Sequence, residues 1–508
     1  MRAILKRVNL SKYALLFIIL LGLLLRLRGL FSPILDLYSS RQEQCAMIAR
    51  NFFRHGYNIF HPEVDWFGPF NSSWRLEFPL VSYLAALLYS IFGIHEFLGR
   101  IVNIVFSLGS IYLIFQLTKN LFNKKTAIYA GFLFAVSPLG VYFGRTFIPN
   151  TIAIFFSIAS LYYFYQWLKS DYRFYYILAF IATLLSFLSN LSTLYLCLPL
   201  LYLAYSKYRN RIFTKFSIYL FFSFTILVSL SWYVKASLDV TAFIANKTNL
   251  GILVQPAFYR RILENLGLLI LTPIGAFLAV LGCGLSINKR EEYLLHLWLA
   301  AIIIYTLCAS EQNYIHYYYQ LPFVPIFSIF AAKAIDRLSR PELWKESLFL
   351  KVNPNLIIWG AMSCILITGY IVIRPFYKWD ANIYRVSKII NAITEKDAIV
   401  IAGRGGHQAS LYYTDRKGWQ TNDVKPVGSL SYSWALNLNK YNFPERTKSG
   451  IVLSSEIDLV KFLIKHGADY YFIYNTQIFK DEPGFRKYMY SNFKVIKEEE
   501  NFVIFDLR

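Results

Sequence analysis

The chain is short of charge, and shorter still of acid. Only 16% of its 508 residues are charged, with 30 acidic against 52 basic, whereas soluble domains carry about 25%. That shortage excludes an ordinary soluble enzyme. The five cysteines (Cys45, Cys197, Cys283, Cys308, Cys364) are scattered, four of them inside apolar runs. Such spacing offers neither a metal-binding motif nor a disulfide framework. No internal repeat is visible and the mid-run positions are mostly free of charge, which argues against the repeat-built transporters. "SKYALLFIILLGLLLRLRGLF" lacks a small-residue cleavage site, so it reads as a retained anchor and not as a signal peptide.

What the chain has instead is grease: 56% hydrophobic residues, 18% aromatic and a mean hydropathy of +0.41. Apolar runs lie at 13–30, 98–117, 126–144, 151–168, 174–189, 191–206, 216–235, 264–286, 293–309, 320–336 and 356–374. Many approach the ~20 residues that cross a bilayer, giving about eleven spans. The net charge of +22 sits in short loops between these runs, which is the pattern of cytoplasmic loops and not of a nucleic-acid surface. With the N-terminus inside, Lys119, Lys124 and Lys125, then Lys169 and Arg173, then Lys207, Arg209, Arg211 and Lys215, then Lys289 and Arg290, then Arg337, Arg340, Lys345 and Lys351 all fall on the inner face.

This predicts an α-helical polytopic membrane protein at the cell membrane, with a transmembrane domain over 1–375. Its first outer loop, 31–97, carries two interfacial amphipathic helices near 42–54 and 78–92. A small extracytoplasmic α/β domain follows over 376–508. There "SKIINAIT" and "EIDLVKFLIKHG" read as helices. "DAIVIAG", "DYYFIYN", "FKVIKEE" and "NFVIFDLR" read as strands, the last two as a hairpin.

Polar side chains gather on the predicted outer face, where leaving them unpaired in lipid would cost several kcal/mol. "SPILDLYSSRQEQC" supplies Asp36, Arg41, Gln42, Glu43 and Gln44; "WRLEFPL" supplies Glu77; "GRTFIPN" supplies Arg145 and Asn150; "YIHYYYQ" supplies His316, Tyr318 and Gln320. Carboxylates that accept a proton and cations that hold a phosphate are what transfer from a phosphorylated lipid requires. Arg50 and Arg54 read as interfacial anchors, and Asp65 as a turn cap. "GRGG" at 403–406 lacks phosphate-loop spacing and reads as a turn, and the sequons at Asn71, Asn190 and Asn246 are short enough to arise by chance.

A carboxylate after the first span, "RQEQ", "IARNF", "EFPLVSYLAALLY", "GRTFIPN", "HYYYQLP" and "LYYTDRKGW" occur in this order. Together they resemble the GT-C membrane glycosyltransferases, and within them the family 39-like group related to protein O-mannosyltransferases and the ArnT aminoarabinose transferase. The resemblance implies transfer of a sugar from a polyprenyl-phosphate carrier to a hydroxyl or amine of a protein, lipid or glycan on the outer face. Asp36 would be the base, with Glu43 and Glu77 the competing carboxylates. Arg41, Gln42, Gln44, Arg145, Asn150, His316, Tyr318 and Gln320 would bind substrate. No cofactor and no metal is called for. Two departures stand out: Arg41-Gln42 occupies the place of an Asp-Glu pair, and Asn150 the place of an acid. Alternatives are a ligase or polymerase of whole lipid-linked glycans and, further off, a transporter.

Overall fold

In the computed structural model, described over residues 2–70, 72–236, 249–287, 289–340, 353–403, 409–420 and 455–508, every predicted apolar run holds helix. The helices include Arg2–Leu27, Glu96–Leu121, Asn150–Ser170, Arg173–Ser189, Phe216–Ala236, Tyr293–Cys308, Phe323–Leu338 and Pro354–Ile373. Two compact units result. One comprises 1–31, 75–81 and 97–376; the other joins 32–74 and 82–96 of the first loop to 377–508.

By length and composition, four helices among the described residues can cross a membrane: Glu96–Leu121, Asn150–Ser170, Phe216–Lys235 and the stretch Asn355–Ile393. A fifth span arises if Pro256–Ile270 and Thr272–Gly284, bent by 104°, count as one. Other apolar helices, among them Arg173–Ser189 and Tyr293–Cys308, are shorter than a span, and some runs are broken. One helix stops at Val136 and restarts at Pro138, because proline cannot donate the next helical hydrogen bond. Another opens as the 3-10 turn Leu191–Leu196 before becoming Cys197–Tyr208.

Arg26 explains how the first helix is fastened. It is fully buried, and its guanidinium donates to Ser107 Oγ (2.7 Å), to the carbonyls of Gly22 and Ala135 (both 3.0 Å) and to that of Gly140 (2.9 Å). A cation inside an apolar bundle is tolerated only with its donors satisfied. This one ties three neighbouring segments to the first helix.

The second unit is built on a five-stranded sheet, β1 (Ile399–Ala402), β2 (Lys417–Gln420), β3 (Tyr470–Ile473), β4 (Lys494–Glu499) and β5 (Phe502–Asp506). Its order is β2-β1-β3-β5-β4, with β1 parallel to both β2 and β3, and β4–β5 an antiparallel hairpin. Four strands match the sequence reading; β2, only "KGWQ", was not anticipated. β3 is buried throughout, as a central strand covered on both faces must be. Edge strand β4 carries Lys494, Lys497, Glu498 and Glu499, which discourage pairing with another chain. The opposite edge is closed by the first loop: Gly418 N donates to Asp65 O and Gly68 N to Gly418 O, both at 2.9 Å. Gly68 sits at φ +60°, and a Cβ there would lie 2.1 Å from the Trp419 ring. Only glycine fits.

Residues 404–406 of "GRGG", Asn71, Asn246, Lys345 and Lys351 lie outside the described residues.

Candidate active site

In the second unit the chain enters helix Ser39–His55 through Tyr38, whose backbone is left-handed (φ 58°). Just before it, Ile34 N donates to the Tyr413 hydroxyl at 2.8 Å, fixing the approach to Asp36. Asp36 is only 4% exposed and lines a hollow of about 550 Å³ with Tyr38, Ser39, Lys378, Trp379 and Asp380. Gln42, one turn into the helix, donates from Nε2 to Asp36 Oδ1. Arg41 donates to Gln44 Oε1 at 2.5 Å. The sequence thus supplies a carboxylate, an amide that orients it, and a wet wall on one side. Lys378, contributed from far along the chain, carried no signal that local reading could find.

Glu43 has a different environment. It has no exposed surface, and neither carboxylate oxygen makes a hydrogen bond of good geometry. Burial lifts its carboxyl well above the ordinary carboxylate range; the Ser39 hydroxyl opposes this and the charge of Asp36 adds to it. Burial therefore favours the protonated form of Glu43.

Three further residues correct the sequence reading. Arg50 is no interfacial anchor but a buried hub, 4% exposed. It contacts Asp65 at 2.6 Å and Asp415 at 2.8 Å, donates to Tyr412 O at 2.8 Å and lies 4.7 Å from the centre of the Tyr412 ring. Burial works to lower its pKa, but Asp65 and Asp415 outweigh that and hold the charge firmly. Asp65 is likewise no mere turn cap: it also accepts from Asn51 Nδ2 at 3.0 Å. Arg54 grips both oxygens of Asp415, at 2.7 and 2.9 Å. Burial alone would raise the Asp415 carboxyl; these arginines, with Arg416, hold it below its usual value. A helix buried over Gln42–Phe52 does not lie in a membrane interface with one face in water, so the expected interfacial placement of this first amphipathic segment is also revised. No local pattern signals that Asp415 answers Arg50, because the partners sit far apart in the chain.

In the first unit, Glu77 is half-buried on a segment pinned from both sides. The Trp232 indole donates to Leu76 O (3.2 Å), and Phe78 N donates to Leu188 O (3.0 Å). The "GRTFIPN" turn is clamped by Asn103, whose amide donates to Thr146 O and Ile148 O. Arg145 is fully buried, 5.1 Å from the centre of the Tyr142 ring, and donates to Gly29 O at 3.3 Å. Arg100 reaches the same carbonyl at 2.7 Å. Asn150 opens helix Asn150–Ser170. A relay of rings then joins Arg145 to His316: Tyr142 meets Phe143 (5.1 Å), Phe143 meets Tyr318 (6.0 Å), and Tyr318 stacks on His316 (5.1 Å, 11°). Gln320, fully buried, donates to Asn313 O at 2.9 Å. The structure therefore gathers Arg145, Tyr318 and His316 in one unit, and Asp36, Arg41, Gln42, Glu43 and Gln44 in the other. Among the described residues, no group of three His, Cys, Asp or Glu side chains is placed to hold a metal ion.

Residues 77–234 match the family model described as dolichyl-phosphate-mannose-protein mannosyltransferase. No curated protein matches. The fold is similar to that of ArnT from Cupriavidus metallidurans in the apo state (TM-score 0.63, 13% identity, 97% of each chain). It is also similar to ArnT bound to undecaprenyl phosphate (TM-score 0.62, 14% identity, 97% of this chain and 98% of that one). A further likeness is to the archaeal oligosaccharyltransferase AglB from Archaeoglobus fulgidus, in complex with an inhibitory peptide and a dolichol-phosphate (TM-score 0.58, 14% identity, 92% of this chain and 69% of that one). The chain is thus similar over residues 77–234 to the dolichyl-phosphate-mannose-protein mannosyltransferases, and similar in fold to ArnT and AglB.

Proposed function

We propose that the protein transfers one sugar from a polyprenyl-phosphate carrier to a hydroxyl or amine acceptor on the outer face of the cell membrane. The chain would cross about eleven times, with the N-terminus inside and the α/β domain outside, as the basic inner loops favour. The observation that carries the reading is Asp36. It is a buried carboxylate oriented by Gln42 on the wall of a hollow, just past the first membrane helix of a GT-C fold.

The chemistry follows from those parts. The acceptor oxygen or nitrogen attacks the anomeric carbon, the bond from that carbon to the phosphate oxygen breaks, and the acceptor proton passes to Asp36. Glu43 is fully enclosed and does not line the hollow, which leaves the role to Asp36. The leaving group is a lipid phosphate, a stable anion once a cation holds its charge; Arg41, in the same unit as Asp36, is assigned that role. Nothing in this balance needs a redox cofactor or a nucleotide.

The test is direct. Membranes containing the protein, given a radiolabelled polyprenyl-phosphate monosaccharide and an acceptor extract, are expected to move label into acceptor in single-sugar increments. Label appearing only when a preassembled lipid-linked glycan is supplied would point to the ligase instead.

A further inference from the structure

We infer that the protein carries a binding site for the phosphate headgroup of an anionic phospholipid, at the end of the helical unit opposite Asn150. Helix Asn150–Ser170 has 21 residues, so its far end lies ~30 Å from Asn150. There the helix Cys197–Tyr208 ends as Arg209 takes a left-handed backbone (φ 53°), and the chain turns into the short 3-10 helix Arg209–Thr214. The turn brings Lys207, Arg209, Arg211 and Lys215 around one hollow of about 790 Å³, walled by Tyr205 and Tyr208. An adjoining hollow of about 440 Å³ shares Lys207 and adds Lys169 and Lys289.

Three of the four cations around the larger hollow, Arg209, Arg211 and Lys215, are presented without an acidic partner among the described residues. Asp171 pairs with Lys207. Among the described residues, Arg209 and Lys215 meet only tyrosine rings, at 5.7 and 5.2 Å, and Arg211 has no ion pair. A topology signal needs basic residues somewhere in an inner loop; it does not need them to converge on an aromatic-walled concavity. Basic pockets between membrane helices on the inner side suit lipid headgroups. Phe213 and Phe216, 75% and 76% exposed, flank the cations with apolar surface suited to acyl chains. That favours a phosphate attached to a lipid over a phosphate free in solution.

The test uses full-length protein in nanodiscs of mixed phosphatidylglycerol and phosphatidylcholine, with retained lipid read by native mass spectrometry. The triple variant Arg209→Gln/Arg211→Gln/Lys215→Gln is compared with Lys12→Gln/Lys124→Gln/Arg337→Gln, which removes the same charge from other basic sites. The wild type and the control triple should hold phosphatidylglycerol about tenfold over phosphatidylcholine, a preference equal to one good ionic contact. The hollow variant should lose it, and millimolar inorganic phosphate should not displace the lipid. Equal retention in both triples would overturn the site, and so would displacement by inorganic phosphate. Should the hollow triple not purify, Arg211→Gln alone, altering one exposed side chain, gives the same comparison at a several-fold loss.

Discussion

Replacing Arg50 by methionine separates a buried hub from a membrane anchor. The Arg50–Asp65 contact is 2.6 Å between side chains 5% and 7% exposed, and Arg50 also meets Asp415 at 2.8 Å. Removing the cation strands Asp65 with Asn51 as its remaining partner, and an uncompensated buried charge costs about 3–5 kcal/mol. The neighbouring pair Arg54–Asp415 is 40% and 32% exposed. Solvent-screened contacts of that kind contribute roughly 0.2–1 kcal/mol, so Arg54→Met is the internal control. Hydrogen exchange on the full-length protein, read over residues 39–55 and 409–420, reports local opening. Since 1.4 kcal/mol is tenfold, Arg50→Met should speed exchange there by roughly two to three and a half decades, and Arg54→Met by less than about one. Arg50→Met combined with Asp65→Leu should recover much of the loss, because no charge is then left buried. Equal, small effects for Arg50→Met and Arg54→Met would refute the buried hub and restore the anchor.

Further outcomes follow from the same geometry. Glu43→Gln should stabilise the protein near neutral pH and retain transfer. With its carboxyl raised in the folded state, stability falls as pH rises above the ordinary value of about 4.3 towards the folded value, and glutamine removes that loss; a melt series across pH checks it. Asp415 has the opposite sign. Its carboxyl is lowered, so its contribution is present above about pH 3.9 and fades as pH falls through the folded value. Asp415→Asn should therefore flatten the acid limb of the same series. Gly68→Ala forces a left-handed backbone on alanine, about 1–2 kcal/mol, and drives its methyl into Trp419; lower protein yield and a lower melting temperature are expected. Arg26→Leu should leave the acceptors on Ser107, Ala135 and Gly140 without their donor, at about 1–3 kcal/mol for each buried group left unsatisfied, read as a lower melting temperature in detergent.

Much of the architecture was legible because period and length are local properties. Each apolar run became helix, and the alternation after residue 376 gave four of the five strands. Breaks were harder. The bend of 104° before Thr272, where that residue takes φ +62°, and the restart at Pro138 depend on what packs against the chain. The site was half legible for the same reason. Asp36, Gln42 and Glu43 lie close together in sequence, so their gathering was legible, although Asp36 precedes the helix and meets Gln42 through the turn at Tyr38. Lys378 beside Asp36 and Asp415 beside Arg50 join only when the tail and the first loop fold into one unit. That Glu43 is enclosed while Asp36 lines a hollow was not legible, because spacing does not report burial.

The most direct measurement compares Asp36→Asn with Glu43→Gln in transfer from the labelled polyprenyl-phosphate sugar, each variant first shown to melt as a folded protein. The account predicts that Asp36→Asn loses at least about a hundredfold in turnover, the scale of a general base, while Glu43→Gln stays within a few-fold of wild type. Near-normal transfer by folded Asp36→Asn, or silence from Glu43→Gln alone, would contradict it.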